Sequence, residues 1–222
     1  MKIGIIGGTG GMGKGFALRW CQNHDVVIGS RDSARAAEAA GAYEALAKEA
    51  FGGVRGIAGA DNIAVAESSD VLVLSIPYGN IDAVCSEILP KIRDECTVVS
   101  PIVPMEKTDV GFEFLPVRDG KPSSYEAVAR HMGNPSRLVS AFHVISEKKL
   151  ANPKLELDYD IFVCGDDDGA VGAVTGLINE IAGLRPVYLG PGRLSYMAEI
   201  ATPLLLNAMI RNKMKNPGIK IV

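Results

Sequence analysis

The chain has 222 residues, 47% of them hydrophobic and 22% charged, which is typical of one large folded domain or of one domain with a small appended one. This composition excludes a multidomain assembly and a mainly disordered chain. Lys and Arg total 23 against 26 for Asp and Glu, so the net charge of −3 gives no basic field for a nucleic-acid partner.

Short apolar runs alternate with longer amphipathic segments through the first hundred residues, which predicts a βαβ rhythm. In chain order we expect a strand at 3–6, a helix at 11–23, a strand at 25–29, a helix at 32–50, a strand at 54–58, a short helix at 60–68, a strand at 71–76, a helix at 80–90 and a strand at 97–100. The strand at 71–76 is almost entirely apolar, as a parallel sheet covered by helices on both faces requires.

The second half of the chain has the same alternation, interrupted by two segments that we expect to be irregular. The order is an irregular segment with four prolines at 101–122, a helix at 123–132, a strand at 138–143, an irregular stretch at 146–157, a strand at 160–164, a helix at 169–182, a short strand at 186–189 and a long helix at 194–212. A loop as long as 101–122 is more often functional than idle. The predicted fold class is therefore α/β, with a doubly wound parallel sheet.

Cysteine and histidine usage favours a plain intracellular protein without a metal. The cysteine spacing matches neither a disulfide framework nor a zinc ribbon, which predicts a reducing cytoplasm, and the residues are Cys21, Cys85, Cys96 and Cys164. None of the three histidines pairs with another at the i, i+4 spacing, so we expect no metal. Met1 leads directly into a strand-like run, and no window of about 18 apolar residues follows, so we expect no export and no membrane span.

A glycine-rich fingerprint directly after the first strand is the strongest motif in the chain. It has the form G-x-G-x-x-G and consists of Gly8, Thr9, Gly10, Gly11, Met12 and Gly13. Gly8 permits the tight turn, Gly10 lets a pyrophosphate approach the backbone, and Gly13 lets the helix pack close to the sheet. The helix N-terminus offers free amides to the phosphates. The motif predicts a dinucleotide, although a glycine-rich turn without a ligand would have the same sequence.

The residues that follow the second strand favour NADP over NAD. An NAD site has an acidic residue at this position to bind the ribose 2′-OH, whereas this chain has Ser30 and Arg31. A hydroxyl and a guanidinium suit a 2′-phosphate, and Arg35 follows one helical turn later. Asp32 is the opposing signal, which we interpret as a helix cap. The alternative for both arginines is a solvated surface role.

Three predicted strand ends should border one crevice, because ligands of doubly wound sheets bind outside the carboxyl ends of the strands. These ends are Ser75–Tyr78, Ser100–Met105 and Ala141–Val144. They are mostly apolar, which suits flat redox rings better than acyl or phosphoryl transfer. His143 is the titratable group among them, and we weigh a structural role for it against a catalytic one.

Taken together, these stretches resemble a known family, the archaeal and actinobacterial NADPH-dependent reductases of coenzyme F420, a 5-deazaflavin hydride carrier. The matching stretches span essentially the whole chain and are Gly7–Gly15, Gly29–Arg31, Ile76–Pro77, Ser100–Pro104, Ser140–His143, Val163–Asp168, Gly183–Pro186, Thr202–Leu204 and Gly218–Lys220. The family often has tryptophan where Tyr78 stands and lysine where Arg35 stands, and both differences keep the aromatic or cationic character.

The resemblance implies a Rossmann domain holding NADP at 1–145, a small C-terminal α/β portion at 146–222 that completes the deazaflavin pocket, and a cytoplasmic homodimer. By matching position, Thr9 to Met12 would contact the pyrophosphate, and Ser30, Arg31 and Arg35 the 2′-phosphate. Tyr78 and Met105 would lie on the nicotinamide side, Ile76 and Pro77 would also bind the cofactor, and Pro217 would contact the deazaflavin.

The implied reaction is reversible hydride transfer between NADPH and coenzyme F420, with small-molecule cofactors as the only partners. His143 would then face the pyrimidine edge of the deazaflavin as a hydrogen-bond donor. Two alternatives remain open at this point: another NADPH-dependent reductase, acting on imines or ferric iron, and a non-enzymatic NADP-sensing domain.

Overall fold

The computed structural model describes residues 1–222 and contains one large sheet and one small hairpin. The large sheet has eight strands in the order β10-β9-β8-β5-β4-β1-β2-β3. Its strands are β1 (Lys2–Ile6), β2 (Asp25–Ser30), β3 (Gly56–Asp61), β4 (Val71–Leu74), β5 (Thr97–Ser100), β8 (Leu138–Ser140), β9 (Tyr159–Gly165) and β10 (Leu184–Gly190), and the hairpin pairs β6 (Met105–Lys107) with β7 (Phe112–Phe114).

Ten helices cover the sheet and its edges. They are α1 (Gly11–Trp20), α2 (Ser33–Phe51), α3 (Asn62–Ser68), α4 (Ile81–Ile88), α5 (Leu115–Asp119), α6 (Ser124–Ala129), α7 (Glu147–Leu150), α8 (Asp168–Asn179), α9 (Ser195–Glu199) and α10 (Ala201–Asn212). No helix combines the length and the apolar character that are needed to cross a membrane.

The strand order reverses at β1, and this reversal positions the site. β1 pairs in parallel with β2 on one side and with β4 on the other, so that Ile6 is opposite both Gly29 and Leu74. Three carboxyl ends therefore meet at the topological switch point, where doubly wound sheets bind their ligands. The predicted α/β doubly wound fold is confirmed, with one antiparallel pairing between β8 and β9 and a parallel β10 beyond it.

The core lies on both faces of the sheet, as the apolar strands predict. All residues of β4 and β5 are buried. On one face Phe16 and Trp20 of α1 stack with ring centroids 4.8 Å apart, and Phe142 meets the Phe16 ring edge-on at 5.0 Å. The four cysteines are buried and unpaired, and burial raises the pKa of each thiol, to about 11 for Cys21 and about 12 for Cys85.

The prediction that 101–122 is irregular was wrong, because this segment contains the hairpin β6–β7 and the short helix α5. Each hairpin strand has only three residues, too few to show an alternating pattern, and Pro116 stands in the first turn of α5, where proline is tolerated. The hairpin is held by Asn207 of α10, whose side chain accepts a hydrogen bond from Phe112 N at 2.8 Å and donates one to Phe112 O at 2.7 Å.

Other predicted boundaries also differ from the structure, and three of the differences bear on the site. The strand expected at 138–143 ends at Ser140, because Phe142 adopts a left-handed φ of 69° and the chain turns. The stretch 146–157 contains the short helix α7. The long helix expected at 194–212 is divided at Ile200 into α9 and α10, and Pro203 in the first turn of α10 has no N–H to continue the hydrogen-bond ladder.

Candidate active site

A crevice made of three adjoining cavities runs along the carboxyl edge of the sheet. The Arg31 cavity, of about 450 Å³, lies over the end of β2 and is lined by Thr9, Ser30, Arg31 and Arg35 among others. The central cavity, of about 470 Å³, shares Gly10, Ser75, Ile76 and Pro77 with it. The Pro217 cavity, of about 380 Å³, shares His143, Ile145, Glu147 and Thr202 with the central one. Residues from both halves of the chain therefore border one continuous groove.

Three positions in and just after the loop that follows β1 have no room for a side chain and must be glycine. A β-carbon on Gly7, which has a φ of +73°, would lie 2.2 Å from Ser75 O. One on Gly8 would lie 2.5 Å from Ile28 Cβ, and one on Gly13 would lie 2.6 Å from the α-carbon of Gly8. These contacts are too short for any β-carbon, so the tight turn and the close approach of α1 to the sheet require glycine at these positions.

Gly10 has no such packing reason to be glycine. Its φ of −82° and ψ of 168° suit any residue, and the nearest atom to an added β-carbon is Gly7 O at 3.3 Å. Gly10 lies at the N-cap of α1, where no side chain caps the first amides. An open backbone facing a cavity at an uncapped helix N-terminus is the geometry of a phosphate cradle. The loop therefore fits a dinucleotide, and Gly11 and Met12 line the same side of the central cavity.

Arg31 and Arg35, which follow β2, line the Arg31 cavity, whereas the carboxylate of Asp32 caps α2. Asp32 caps α2, as predicted, by accepting hydrogen bonds from Ala34 N at 2.9 Å and Arg35 N at 3.2 Å. Arg31 and Arg35 are both exposed at the mouth of the cavity, and the Ser30 hydroxyl accepts a bond from Asp32 N at 3.2 Å. A hydroxyl and two guanidinium groups around one cavity can bind a phosphate.

Sequence reasoning missed two further residues of the Arg31 cavity. Asn62 is buried, lines the cavity and has no hydrogen-bond partner for its Oδ1 atom. Its position directly after β3 is a signal that could have identified it, since β3 pairs with β2 at the same sheet edge. Glu87 of α4 lines the cavity from the opposite wall. A free amide oxygen and a carboxylate are suited to accept hydrogen bonds from ribose or base groups.

Four predicted residues meet in the wall of the central cavity, namely Ile76, Pro77, Tyr78 and Met105. Tyr78 is half-buried and its hydroxyl donates a hydrogen bond to Pro122 O at 2.9 Å, which fixes the ring. Burial raises the pKa of Tyr78 above its ordinary value, so the phenol stays protonated. This apolar wall with one fixed aromatic ring suits a flat heterocycle.

His143 lies where the central and Pro217 cavities meet, three residues beyond the end of β8 and not within the strand as predicted. It is only 5% exposed, and burial lowers its pKa to about 3, so the ring is neutral at physiological pH. Nε2 lies 3.3 Å from the Ser140 hydroxyl, and Nδ1 has no partner in the protein. The ring therefore cannot act as a charged acid near neutral pH, and its Nδ1 is a buried nitrogen without a hydrogen-bond partner.

The Pro217 cavity is closed by the C-terminal tail. Pro217 and Asn216 line it together with Leu205, Leu206 and Met209 of α10. Asn216 has a left-handed φ of 47°, and its Oδ1 accepts a hydrogen bond from the Ser146 hydroxyl at 3.3 Å. Asn216 O accepts another from the Tyr159 hydroxyl at 3.0 Å. The tail is thus tied to the N-cap residue of α7 and to β9, and Leu205, Leu206 and Met209 give the cavity an apolar wall.

Glu147 is another site residue that sequence reasoning did not find. Its carboxylate lies so close to Gly11 that a β-carbon on Gly11 would come within 2.1 Å of Glu147 Oε1. The approach is possible because α7 packs on the glycine face of α1, where a β-carbon on Gly15 would likewise lie 2.7 Å from Leu150. Glu147 therefore places a negative charge beside the uncapped N-terminus of α1.

Arg19 fixes α7 against α1. This buried guanidinium donates hydrogen bonds to four carbonyl oxygens after the start of α7, namely Leu150 O at 3.1 Å, Lys149 O at 3.2 Å, Asn152 O at 2.6 Å and Leu155 O at 2.8 Å. Burial lowers the pKa of Arg19 from its usual value. The position of Glu147 over the glycine loop is thus set by a built contact between two elements far apart in sequence.

Comparison with known proteins agrees with this geometry. A family model described as NADP oxidoreductase, coenzyme F420-dependent, matches residues 2–104. An F420-dependent NADP reductase of Methanocaldococcus jannaschii is 34% identical over 100% of this chain and 98% of its own, and one of Methanothermobacter thermautotrophicus is 33% identical over 100% and 94%.

The fold is also similar to a crystal structure from Arthrobacter sp. FB24, whose protein carries a provisional assignment as an F420-dependent NADP-reductase. The TM-score is 0.77 at 20% identity, covering 100% of this chain and 99% of the other.

Proposed function

This chain belongs to the family of coenzyme F420-dependent NADP oxidoreductases, and we propose that it transfers a hydride reversibly between NADPH and coenzyme F420 in the groove described above. The observation that carries the proposal is the continuity of the three cavities, from the Arg31 cavity past the Gly10 cradle to the Pro217 cavity. A groove of this shape accommodates two extended cofactors whose rings meet in the middle.

The NADP half of the proposed site begins at the Arg31 cavity. Ser30, Arg31 and Arg35 bind the 2′-phosphate, because two guanidinium groups face the cavity while Asp32 caps α2. The pyrophosphate contacts the loop Gly8–Gly13, where Thr9, Gly10, Gly11 and Met12 present backbone amides at the helix N-terminus.

The ring-binding half of the proposed site is the central cavity and its continuation. The nicotinamide packs on the wall of Ile76, Pro77, Tyr78 and Met105. The deazaflavin enters from the Pro217 cavity, and His143 at the junction exchanges one hydrogen bond with its pyrimidine edge. The neutral state of His143 supports a donor or acceptor role and argues against proton delivery by this ring.

The catalytic contribution of the protein is orientation and exclusion of water. When bound, the cofactors supply the redox chemistry, since the nicotinamide C4 of NADPH donates its hydride to C5 of the deazaflavin. Tyr78, held by its bond to Pro122 O, fixes one wall of the central cavity. His143 and the apolar residues of the Pro217 cavity define the opposite end. Direct transfer needs the two carbons near van der Waals contact, which such walls enforce.

The proposed division of labour assigns residues 1–145 to NADP and residues 146–222 to completing the deazaflavin pocket. It is supported by the lining of the Pro217 cavity, where α7, α10 and the tail supply most of the side chains. The same C-terminal portion supports a homodimer, because α9 and α10 expose a row of apolar side chains, among them Met197, Ile200 and Leu204. Four buried free thiols fit a cytoplasmic setting.

A direct assay tests the proposed function. Purified protein is mixed with NADPH and oxidised coenzyme F420, and loss of the visible absorbance of the deazaflavin is followed. We expect turnover in both directions and none with imine or ferric acceptors. A well-folded protein that leaves the deazaflavin oxidised would contradict the proposal, and turnover of an imine would favour the alternative reductase.

A further inference from the structure

The C-terminal segment 205–222 is strongly basic although the whole chain is acidic. It contains Arg211, Lys213, Lys215 and Lys220 and no Asp or Glu, in a chain whose net charge is −3. A local concentration of one sign on a chain of the opposite sign creates a field that favours an oppositely charged ligand.

Two lysines of this segment, Lys213 and Lys215, and Lys148 of α7 lie in or next to the wall of the Pro217 cavity. Lys148 lines the cavity itself. Lys213 ends α10, where its backbone amide bonds to the carbonyl of the lining residue Met209, and Lys215 directly precedes the lining residue Asn216. All three side chains are exposed. We call Lys148, Lys213 and Lys215 the lysine rim.

The lysine rim has no ionic partner within the chain. The ion pairs that lysines form are Lys48 with Glu44 and Lys220 with Asp158. The nearest carboxylate on the cavity wall is Glu147, and that side chain lies against Gly11 at the other side of the wall. Lysines without an ionic partner, beside a cavity with an apolar wall, are suited to a ligand that joins a flat ring to an anionic chain.

From this arrangement we infer that the lysine rim binds the phosphate and glutamyl carboxylates of the deazaflavin tail. The inference rests on the proposed function, since it takes the ring of coenzyme F420 to occupy the Pro217 cavity. With the ring inside the cavity, the anionic tail leaves past α7 and the end of α10, where the three lysines lie. The attraction is electrostatic and exposed, so it weakens with salt.

The test is an equilibrium titration that follows deazaflavin fluorescence without NADPH. The variant Lys148→Gln, Lys213→Gln, Lys215→Gln is compared with wild type and with a control of equal charge, Lys91→Gln, Lys121→Gln, Lys154→Gln, whose positions are exposed and outside the cavity. Two ligands are used: coenzyme F420 with its full tail, and the deazaflavin with its ribityl chain but without phosphate and glutamates.

We expect the rim variant to bind full-length coenzyme F420 about tenfold more weakly at low salt and the tail-less compound as wild type does. The control variant should bind both like wild type, and the difference should shrink at high salt. Unchanged affinity for full-length coenzyme F420 would overturn the inference. An equal loss of affinity for both compounds in the rim variant would also overturn it.

The proposed function is tested separately by turnover of the tail-less compound with NADPH. Turnover of that compound by the wild-type protein requires the ring site and not the lysine rim. Failure of the inference with turnover retained would therefore leave the proposed function intact, whereas absent turnover would contradict the proposed function itself.

Discussion

The carboxylate of Asp32 accepts a hydrogen bond from the backbone amide of Arg35, with Oδ1 and N 3.2 Å apart. A second bond, from Ala34 N at 2.9 Å, completes the cap. The acidic residue that follows β2 thus stabilises the start of α2, and Arg31 and Arg35 flank the cavity. We therefore expect the arginines, and not the carboxylate, to decide which cofactor binds at this site.

Replacement of Arg31 should separate NADPH from NADH. We expect Arg31→Ala to weaken the binding of NADPH by about 1.5–3 kcal/mol, which is the range for a hydrogen bond to a charged group. The binding of NADH should be nearly unchanged. The comparison is of kcat/KM for both nucleotides. Arg55→Ala, which removes an exposed arginine paired with Asp25 at the opposite end of β2, is the matched control. Equal losses for both nucleotides would show that Arg31 supports the fold.

Substitutions at two glycines of the fingerprint should have different effects, one on NADPH binding and the other on stability. Gly10→Val should abolish NADPH binding and leave the melting temperature near that of wild type, because the backbone is extended and the nearest atom to a β-carbon is 3.3 Å away. Gly13→Ala should destabilise the fold, because its β-carbon would meet the Gly8 α-carbon at 2.6 Å. Thermal denaturation and NADPH titration of both variants check this. Retained affinity in Gly10→Val would exclude the loop as the phosphate cradle.

Removal of the Glu147 charge should strengthen NADPH binding. The carboxylate lies beside Gly11 at the helix N-terminus, where it repels an incoming pyrophosphate. We expect Glu147→Gln to lower the NADPH dissociation constant about threefold to tenfold at low salt, and less at high salt. Glu156→Gln, an exposed charge further along the same segment, is the control. Weaker binding in Glu147→Gln would mean that the carboxylate contacts the nucleotide directly.

Substitution of His143 tests its proposed hydrogen bond to the deazaflavin. His143→Phe keeps the planar bulk and removes the bond, so kcat with coenzyme F420 should fall about tenfold to a thousandfold, with NADPH affinity nearly unchanged. His143→Gln retains a donor and should be milder. Wild-type activity in His143→Phe would remove this residue from the mechanism.

The burial of His143 should be visible in the pH dependence of stability, whichever role the ring has. The folded pKa of about 3 lies below the ordinary value of 6.5, so the unfolded chain takes up the proton first and stability is lost as pH falls below about 6.5. Relative to His143→Gln, wild type should lose about 2 kcal/mol between pH 7.5 and pH 5 in denaturant titrations. A constant difference would show that the ring is not held neutral.

The sequence predicted the parts of this site that depend on local pattern. The fingerprint from Gly8 to Gly13, the cap role of Asp32 and the doubly wound sheet follow from spacing and residue type over short distances. Glu147 was not predictable in this way. Its position depends on the hydrogen bonds that Arg19 donates to backbone carbonyls in and after α7. It also depends on the glycines of α1, which let α7 pack close to that helix. Both are contacts between residues more than a hundred positions apart.

The turn after β8 shows the same limit. Apolar residues continue past Ser140, so the pattern predicted a strand as far as His143, but Phe142 turns left-handed to pack on Phe16 and Trp20. Packing overrides the local preference and moves His143 out of the sheet to the junction of two cavities. The identity of the crevice residues was predicted better than the backbone that carries them.

The measurement that tests the central claim most directly is isotope transfer. NADPH carrying two deuterium atoms at the nicotinamide C4 is reacted with oxidised coenzyme F420 in ordinary water, and the reduced deazaflavin is examined by mass spectrometry. Direct hydride transfer in one groove predicts one deuterium at C5 of every product molecule, whichever face reacts. Reduced deazaflavin without deuterium at C5 would contradict direct transfer between the two cofactors.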